Sequence, residues 1–108
     1  MFRVLKERVG GHPNIVRLLD VHFNEAPIYV EMDFVDGLSL KPWCEQHGGV
    51  DQEPLADRLE IVAQIADALQ AAHDAGVIHR DVKPGNILVS QPVTPGAHPR
   101  AKLSDFGI

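Results

Sequence analysis

At 108 residues, 44% hydrophobic and 23% charged, the chain has material for one modest globular domain and not for two. Ten Lys plus Arg against fifteen Asp plus Glu leave a formal charge of −5, which excludes the basic footprint of a nucleic-acid partner. The single cysteine, Cys44, excludes an internal disulfide framework, no apolar run reaches the ~18 residues of a membrane span, and residues 1–8 lack the apolar core of a secretory signal, so the expectation is a cytoplasmic chain.

Phe2, Leu5 and Val9 recur at helical spacing and Gly10-Gly11 follow where a helix would stop, so residues 2–9 read as the tail of a helix. Residues 15–23 and 28–35 are strand-like and flank the loop Asn24-Glu25-Ala26-Pro27, which predicts an antiparallel hairpin. In the second strand Tyr29, Glu31 and Asp33 alternate with Val30, Met32 and Phe34, which predicts one wet and one buried face, with Asp36-Gly37 ending the sheet. Residues 39–48 hold a short helix carrying Leu40, Trp43 and Cys44, with Trp43 as a packing residue.

The best-determined element is a long helix in which Leu55, Leu59, Val62, Ala66 and Leu69 form a stripe, widened by Ile61, Ile65 and Ala72. Asp51 is its expected cap, Pro54 its first-turn residue and Gly76 its stop. Short apolar pieces follow at Val77-Ile78, Ile87-Leu88-Val89 and Ala101-Lys102-Leu103, with residues 91–100 as an exposed connection. One hairpin and a few short strands cannot cover a stripe that wide, and each exposed large aliphatic forgoes roughly 1.5–3 kcal/mol, so the chain is expected to belong to a larger fold or to need a partner over this helix.

The strongest chemical signal is His79-Arg80-Asp81-Val82-Lys83-Pro84-Gly85-Asn86, followed by a strand and then by Leu103-Ser104-Asp105-Phe106-Gly107. These segments resemble the catalytic loop and metal-binding loop of protein kinases, with Val82 where Leu is commoner. Phosphoryl transfer asks the protein to position a hydroxyl, hold metal ions against phosphate charge and supply a cation, which two carboxylates, an amide and an ammonium can do. The resemblance implies that Asp81 orients the substrate hydroxyl and accepts its proton, that Lys83 contacts the γ-phosphate of ATP, and that Asn86 and Asp105 hold Mg²⁺. Lys83, two residues after Asp81, is similar to the serine/threonine class, whose substrate is a protein Ser or Thr hydroxyl. His79 has a structural role in that family, bracing the metal-binding loop near Phe106.

The same resemblance extends upstream through His12-Pro13-Asn14-Ile15-Val16. It implies Met32 at the back of an adenine pocket, Asp33-Phe34-Val35 as the hinge with the Val35 backbone as the adenine-binding edge, and Leu88 as the pocket floor. Ser39 fits either a ribose contact or a helix cap. Cys44 and His47 make half a zinc site at best. The implied fold is α+β and kinase-like but partial, with residues 1–35 as small-lobe remnant and hinge and 36–108 as the first part of the large lobe. No Gly-rich loop, third-strand Lys or activation loop is present in the sequence, and the Asp81 to Asp105 spacing is longer than the family usually shows, with the excess in residues 91–100. The expected function is that of a serine/threonine kinase fragment, inactive or nearly so by itself. The alternatives are a non-catalytic kinase-like interaction module and a small-molecule phosphotransferase, the latter disfavoured by Arg80 and Lys83-Pro84.

Overall fold

The computed structural model describes residues 9, 11–22, 24, 26–92 and 96–104. The helix expected over residues 2–9 falls almost wholly outside that set, as do Asp105, Phe106 and Gly107. In chain order the elements are β1 (Leu18–His22), β2 (Tyr29–Met32), β3 (Leu38–Ser39), α1 (Leu40–Gln46), α2 (Leu55–Asp74), β4 (Ile87–Ser90) and β5 (Arg100–Leu103). Short 3-10 turns occupy Val50–Gln52 and Pro84–Asn86. Mixed helices and antiparallel strands make the fold α+β, as expected.

Helix α2 contains neither Gly nor Pro along 20 residues and is rich in Ala, Leu, Gln and Glu, so propensity and packing agree. It begins one residue after Pro54, whose carbonyl accepts the Arg58 N–H at 3.1 Å. Asp51 lies in the preceding 3-10 turn and does not cap the helix, which starts without a side-chain cap. At the other end Gly76 takes φ +82°, and the Gly76 and Val77 N–H groups donate to His73 and Ala72 at 2.9 and 2.8 Å. This closure satisfies the last carbonyls and turns Val77 into the core.

The face of α2 that meets the core is Ile61, Ile65, Ala68 and Ala72, while Leu55, Leu59 and Val62 stay 60–66% exposed. The expected stripe is therefore turned outward, and at 100° per residue the buried face lies roughly a third of a turn from it. Three side chains accompany the rotation. Ala68 and Ala72 are small enough to let β5 approach, and Gln64, on the same face, hydrogen-bonds β5 directly: its Oε1 accepts the Ala101 N–H at 2.6 Å and its Nε2 donates to the Pro99 carbonyl at 3.0 Å. A row of large aliphatics would hold the sheet too far away for those bonds.

Strands β3, β4 and β5 form an antiparallel sheet in that order, with Ser39 opposite Leu88 and Ile87 opposite Leu103. Strand β3 was not expected; the chain re-enters a sheet directly after Gly37, where a Cβ would collide with the Val89 carbonyl oxygen and Ser90 Oγ. Val77-Ile78 forms no strand: Val77 is buried and Ile78 is 62% exposed. The outer edge of β5 is closed by residues before β1: Leu103 N–H donates to Asn14 O at 2.8 Å and Val16 N–H to Leu103 O at 3.0 Å. Ile15 and Val16, expected in the first hairpin strand, belong instead to this arrangement, and Ile15 joins Trp43, Ile65, Val89 and Leu103 in the core.

Strands β1 and β2 pair as the expected antiparallel hairpin, in a separate two-stranded sheet with a register irregularity between Leu18 and Asp20. The expected buried face of β2 is not formed. Met32 is 40% and Phe34 89% exposed, because among the described residues no second layer covers the two-stranded ribbon.

The choice of face on α2 makes a direct prediction for urea unfolding. Ile65→Ala is expected to lower stability by about 2–4 kcal/mol, whereas Leu59→Ala should change it by no more than about 0.5 kcal/mol. Equal losses would mean that the helix packs by the outward stripe.

Candidate active site

After Val77 enters the core the chain runs outward at Ile78, buries His79 completely, and reverses at Arg80, whose φ of +74° is in the left-handed region. A non-glycine residue held there costs energy that its surroundings must offset. The surroundings are the two ends of the imidazole. His79 Nδ1 accepts the Asp81 N–H at 3.0 Å, and Nε2 lies 2.7 Å from the Ser104 carbonyl oxygen. Since a backbone N–H only donates and a carbonyl only accepts, the tautomer with hydrogen on Nε2 serves both contacts.

Lys83 then leads into the Pro84–Asn86 turn, with proline at a first-turn position where its missing N–H costs nothing. The turn closes with the Asn86 N–H on the Lys83 carbonyl at 2.9 Å and points Asn86 inward, while Asp81 and Lys83 remain exposed. Asn86 Nδ2 donates to the Asp81 carbonyl at 2.8 Å and to Asp81 Oδ2 at 3.2 Å. Lys83 Nζ stands 3.4 Å from the same Oδ2. Both ends of this pair are more than half exposed, so it contributes little stability; its value is geometric. Asp81, Lys83 and Asn86 are thus brought together as the sequence suggested.

Asp105 lies outside the described residues, but the residue before it is fixed. Ser104 N–H donates to the Asn86 carbonyl at 2.9 Å, its hydroxyl to the same oxygen at 3.3 Å, and its own carbonyl meets His79. Ser104 was missed by sequence reasoning, as were Gln64 and the amide of Asn14, which donates to the Ala101 carbonyl at 2.9 Å and to Gln64 at 3.1 Å. None belongs to the quoted catalytic motifs as a reacting group. The signal available was a small polar residue between the buried Leu103 and the motif carboxylate.

The residues suggested for nucleotide are divided between the two sheets. Leu88 and Ser39 face each other across β4 and β3, both half-buried. Ser39 occupies the N-cap position of α1 but makes no side-chain cap bond, so its hydroxyl is not committed to the helix. Met32 ends β2, the Asp33 N–H donates to Arg17 O at 2.9 Å, and the Val35 carbonyl accepts the Gly37 N–H at 3.0 Å. Trp43 packs in the core as expected. Among the described residues Cys44 and His47 belong to no group of three or more possible metal ligands; burial, then the charges of Glu53 and Glu45, push the Cys44 thiol up, and His47 Nδ1 is turned to the Trp43 carbonyl at 2.8 Å.

His79→Ala removes the partner of a carbonyl and of an N–H together. It is expected to cost about 1–3 kcal/mol in urea unfolding and to raise the amide exchange rates of Asp81 and Ser104 by more than those of the β4 strand. Uniform exchange across loop and strand would contradict the bracing role.

The model of the protein kinase domain matches residues 3–108. The probable serine/threonine-protein kinase PknB of Lactococcus lactis is 43% identical over 100 residues, 91% of this chain and 14% of that protein. Serine/threonine-protein kinase PkaA of Streptomyces coelicolor is 42% identical over 112 residues, all of this chain and 20% of the relative. Among solved structures, the Mycobacterium tuberculosis PknI kinase domain, as a single-site mutant, superposes with a TM-score of 0.76 at 31% identity over 99% of this chain and 42% of its own. Rad53 residues 1–466 in complex with AMP-PNP superposes with a TM-score of 0.77 at 36% identity, over 97% of this chain and 26% of its own. The chain therefore spans a fifth or less of those two curated relatives, and less than half of either solved chain. With the match running nearly end to end and the loop geometry in place, the chain belongs to the protein kinase family, as a portion of its catalytic domain.

Proposed function

We propose that this chain carries the catalytic loop of a serine/threonine protein kinase, which transfers the γ-phosphoryl group of ATP to a protein Ser or Thr hydroxyl with Mg²⁺ as cofactor. The observation that carries the reading is the Asn86 amide locked onto Asp81 with Lys83 beside the same carboxylate. With Nδ2 committed to Asp81, the amide leaves Oδ1 as its metal-facing atom. Oxygen donors from Asn86, joined by the carboxylate of Asp105, suit Mg²⁺, which prefers hard ligands and keeps several waters. When bound, Mg²⁺ neutralises phosphate charge and so eases attack on the γ-phosphorus.

The chain's own groups then divide the work. Asp81, exposed and restrained by the Asn86 amide, orients the incoming hydroxyl and takes its proton as the oxygen–phosphorus bond forms and the bridging bond to ADP breaks. Lys83 places an ammonium beside that path. Leu88 and Ser39 supply a floor and a hydroxyl for the nucleoside, and Met32, Asp33 and the Val35 backbone form the opposite edge, with residues 1–35 as small-lobe remnant and hinge and 36–108 as the start of the large lobe. Leu55, Leu59 and Val62 are the surface that the remainder of the domain covers. Among the described residues no helix is long and apolar enough to cross a membrane, and an ATP-dependent reaction with a lone thiol agrees with a cytoplasmic setting.

Thermal unfolding with nucleotide tests this. Mg·ATP at about a hundred times its Kd should stabilise the chain by about 2.7 kcal/mol, and Asn86→Ala or Asp105→Ala should abolish most of the rise in midpoint. Isolated, the chain should transfer little or no labelled phosphate to a Ser peptide. A shift of equal size in parent and both variants would contradict the assigned metal ligands.

A further inference from the structure

The chain returns to the sheet through residues 96–99, and one side chain fastens that stretch to α2. His98 Nδ1 stands 2.7 Å from Asp57 Oδ1, with the imidazole half exposed and the carboxylate a quarter exposed. Gly96, Ala97 and Pro99 have no side-chain donor or acceptor, so His98 is the one side chain there that can bond the helix. The end next to β5 is anchored separately, because the Pro99 carbonyl accepts from Gln64 Nε2 at 3.0 Å. At the other end Gly96 takes φ +84°, a left-handed conformation in which a residue without Cβ can turn freely. The stretch thus has a fixed end, a pivot and one clasp between them.

Beneath it lies a concavity of about 340 Å³, with Ala97 and Pro99 on one wall and Trp43, His47, Glu53 and Asp57 on the others. The clasp is ionic only while His98 is charged. Asp57 is the acidic residue of the first turn of α2, where the helix terminus favours a carboxylate, so the proton that matters is on the imidazole. A neutral imidazole keeps one N–H. On Nδ1 it leaves an uncharged bond about half as strong; on Nε2 it sets a lone pair against the carboxylate.

We propose that residues 96–99 form a proton-sensitive strap, closed against the first turn of α2 while the His98 imidazolium pairs with Asp57 and released from Gly96 onward when that proton leaves. The charged groups facing the imidazole from α2 are Asp57 and Glu60, and across the concavity His47 and Glu53 stand 2.9 Å from each other. The hydrogen bond to Asp57 raises the His98 pKa most, partial loss of water opposes it, and the charges of Asp57 and Glu60 add to the rise. A value raised in the folded chain makes the clasp complete below the ordinary histidine range and loses it as pH climbs through the raised value. The strap is therefore closed in mildly acidic solution and open in mildly alkaline solution, where Asp57 is bared and this face gains negative charge.

Nuclear magnetic resonance on the full chain tests this, following the His98 ring resonances together with backbone order parameters as pH is raised. The ring is expected to titrate above about 6.5, and about half a unit or more lower in Asp57→Asn. With the same midpoint, the order parameters of Ala97 and His98 should fall from about 0.85 toward about 0.6, while that of Ala101, held by Gln64, stays high. In Asp57→Asn the order at Ala97 should be low at every pH, in His98→Gln it should not vary with pH, and His47→Gln should keep the parent profile. Constant order across the pH range in the parent, or a pH-dependent fall that survives in Asp57→Asn or vanishes in His47→Gln, overturns the proposal. An equal fall at Ala101 also overturns it, in favour of a general loosening of the sheet. Nucleotide is absent throughout, so the outcome is independent of the kinase reading.

Discussion

A single buried imidazole joins the two halves of the candidate active site. His79 spans the Asp81 N–H and the Ser104 carbonyl, and Ser104 in turn donates to the Asn86 carbonyl. Two segments of the chain, residues 79–86 and Ser104, are thereby fixed to one another through backbone groups that would otherwise be buried without partners. The left-handed turn at Arg80 and the inward amide of Asn86 both follow from it. The conformation of the catalytic loop cannot change without breaking a bond to the strand that leads to Asp105.

That strand is held from outside the site. One edge of β5 pairs with β4; the other meets Asn14, Val16 and the Gln64 side chain, which take the place of a neighbouring strand. Gln64 reaches from α2 to the β5 backbone, and the face that α2 turns to the sheet carries Ala68 and Ala72 rather than leucines. A polar side chain on a helix thus helps to hold the strand that leads to Ser104. The consequence is an outward row of Leu55, Leu59 and Val62, each leaving unburied surface worth roughly 1.5–3 kcal/mol.

The proximity of Asp81, Lys83 and Asn86 was legible because they lie within one short loop, and their side chains do meet there. The long helix, its Gly76 stop and the two-strand hairpin were legible because each is set by local periodicity and backbone freedom. What failed has a common cause. Periodicity shows that α2 is amphipathic but not which side a sheet will choose: Ile61, Ile65, Ala68 and Ala72 meet the core, and Gln64 bonds the β5 backbone beside them. Likewise the alternation in β2 marks a face suited to burial, while the cover for Met32 and Phe34 is a tertiary matter. Ile15 and Val16 read as hairpin strand by composition, yet the unpaired edge of β5 claimed them.

Paramagnetic relaxation tests most directly the proposal that the loop holds a metal ion. Mn²⁺ accepts the same oxygen ligands as Mg²⁺. With ADP present, it should selectively broaden the Asn86 side-chain amide and the backbone amides of Asp81 and Leu88, and Asp105→Ala should remove the effect. Broadening centred instead on Asp36, Asp51 and Asp57, unchanged in that variant, would show that the loop does not hold the ion and that the assignment of Asn86 is wrong.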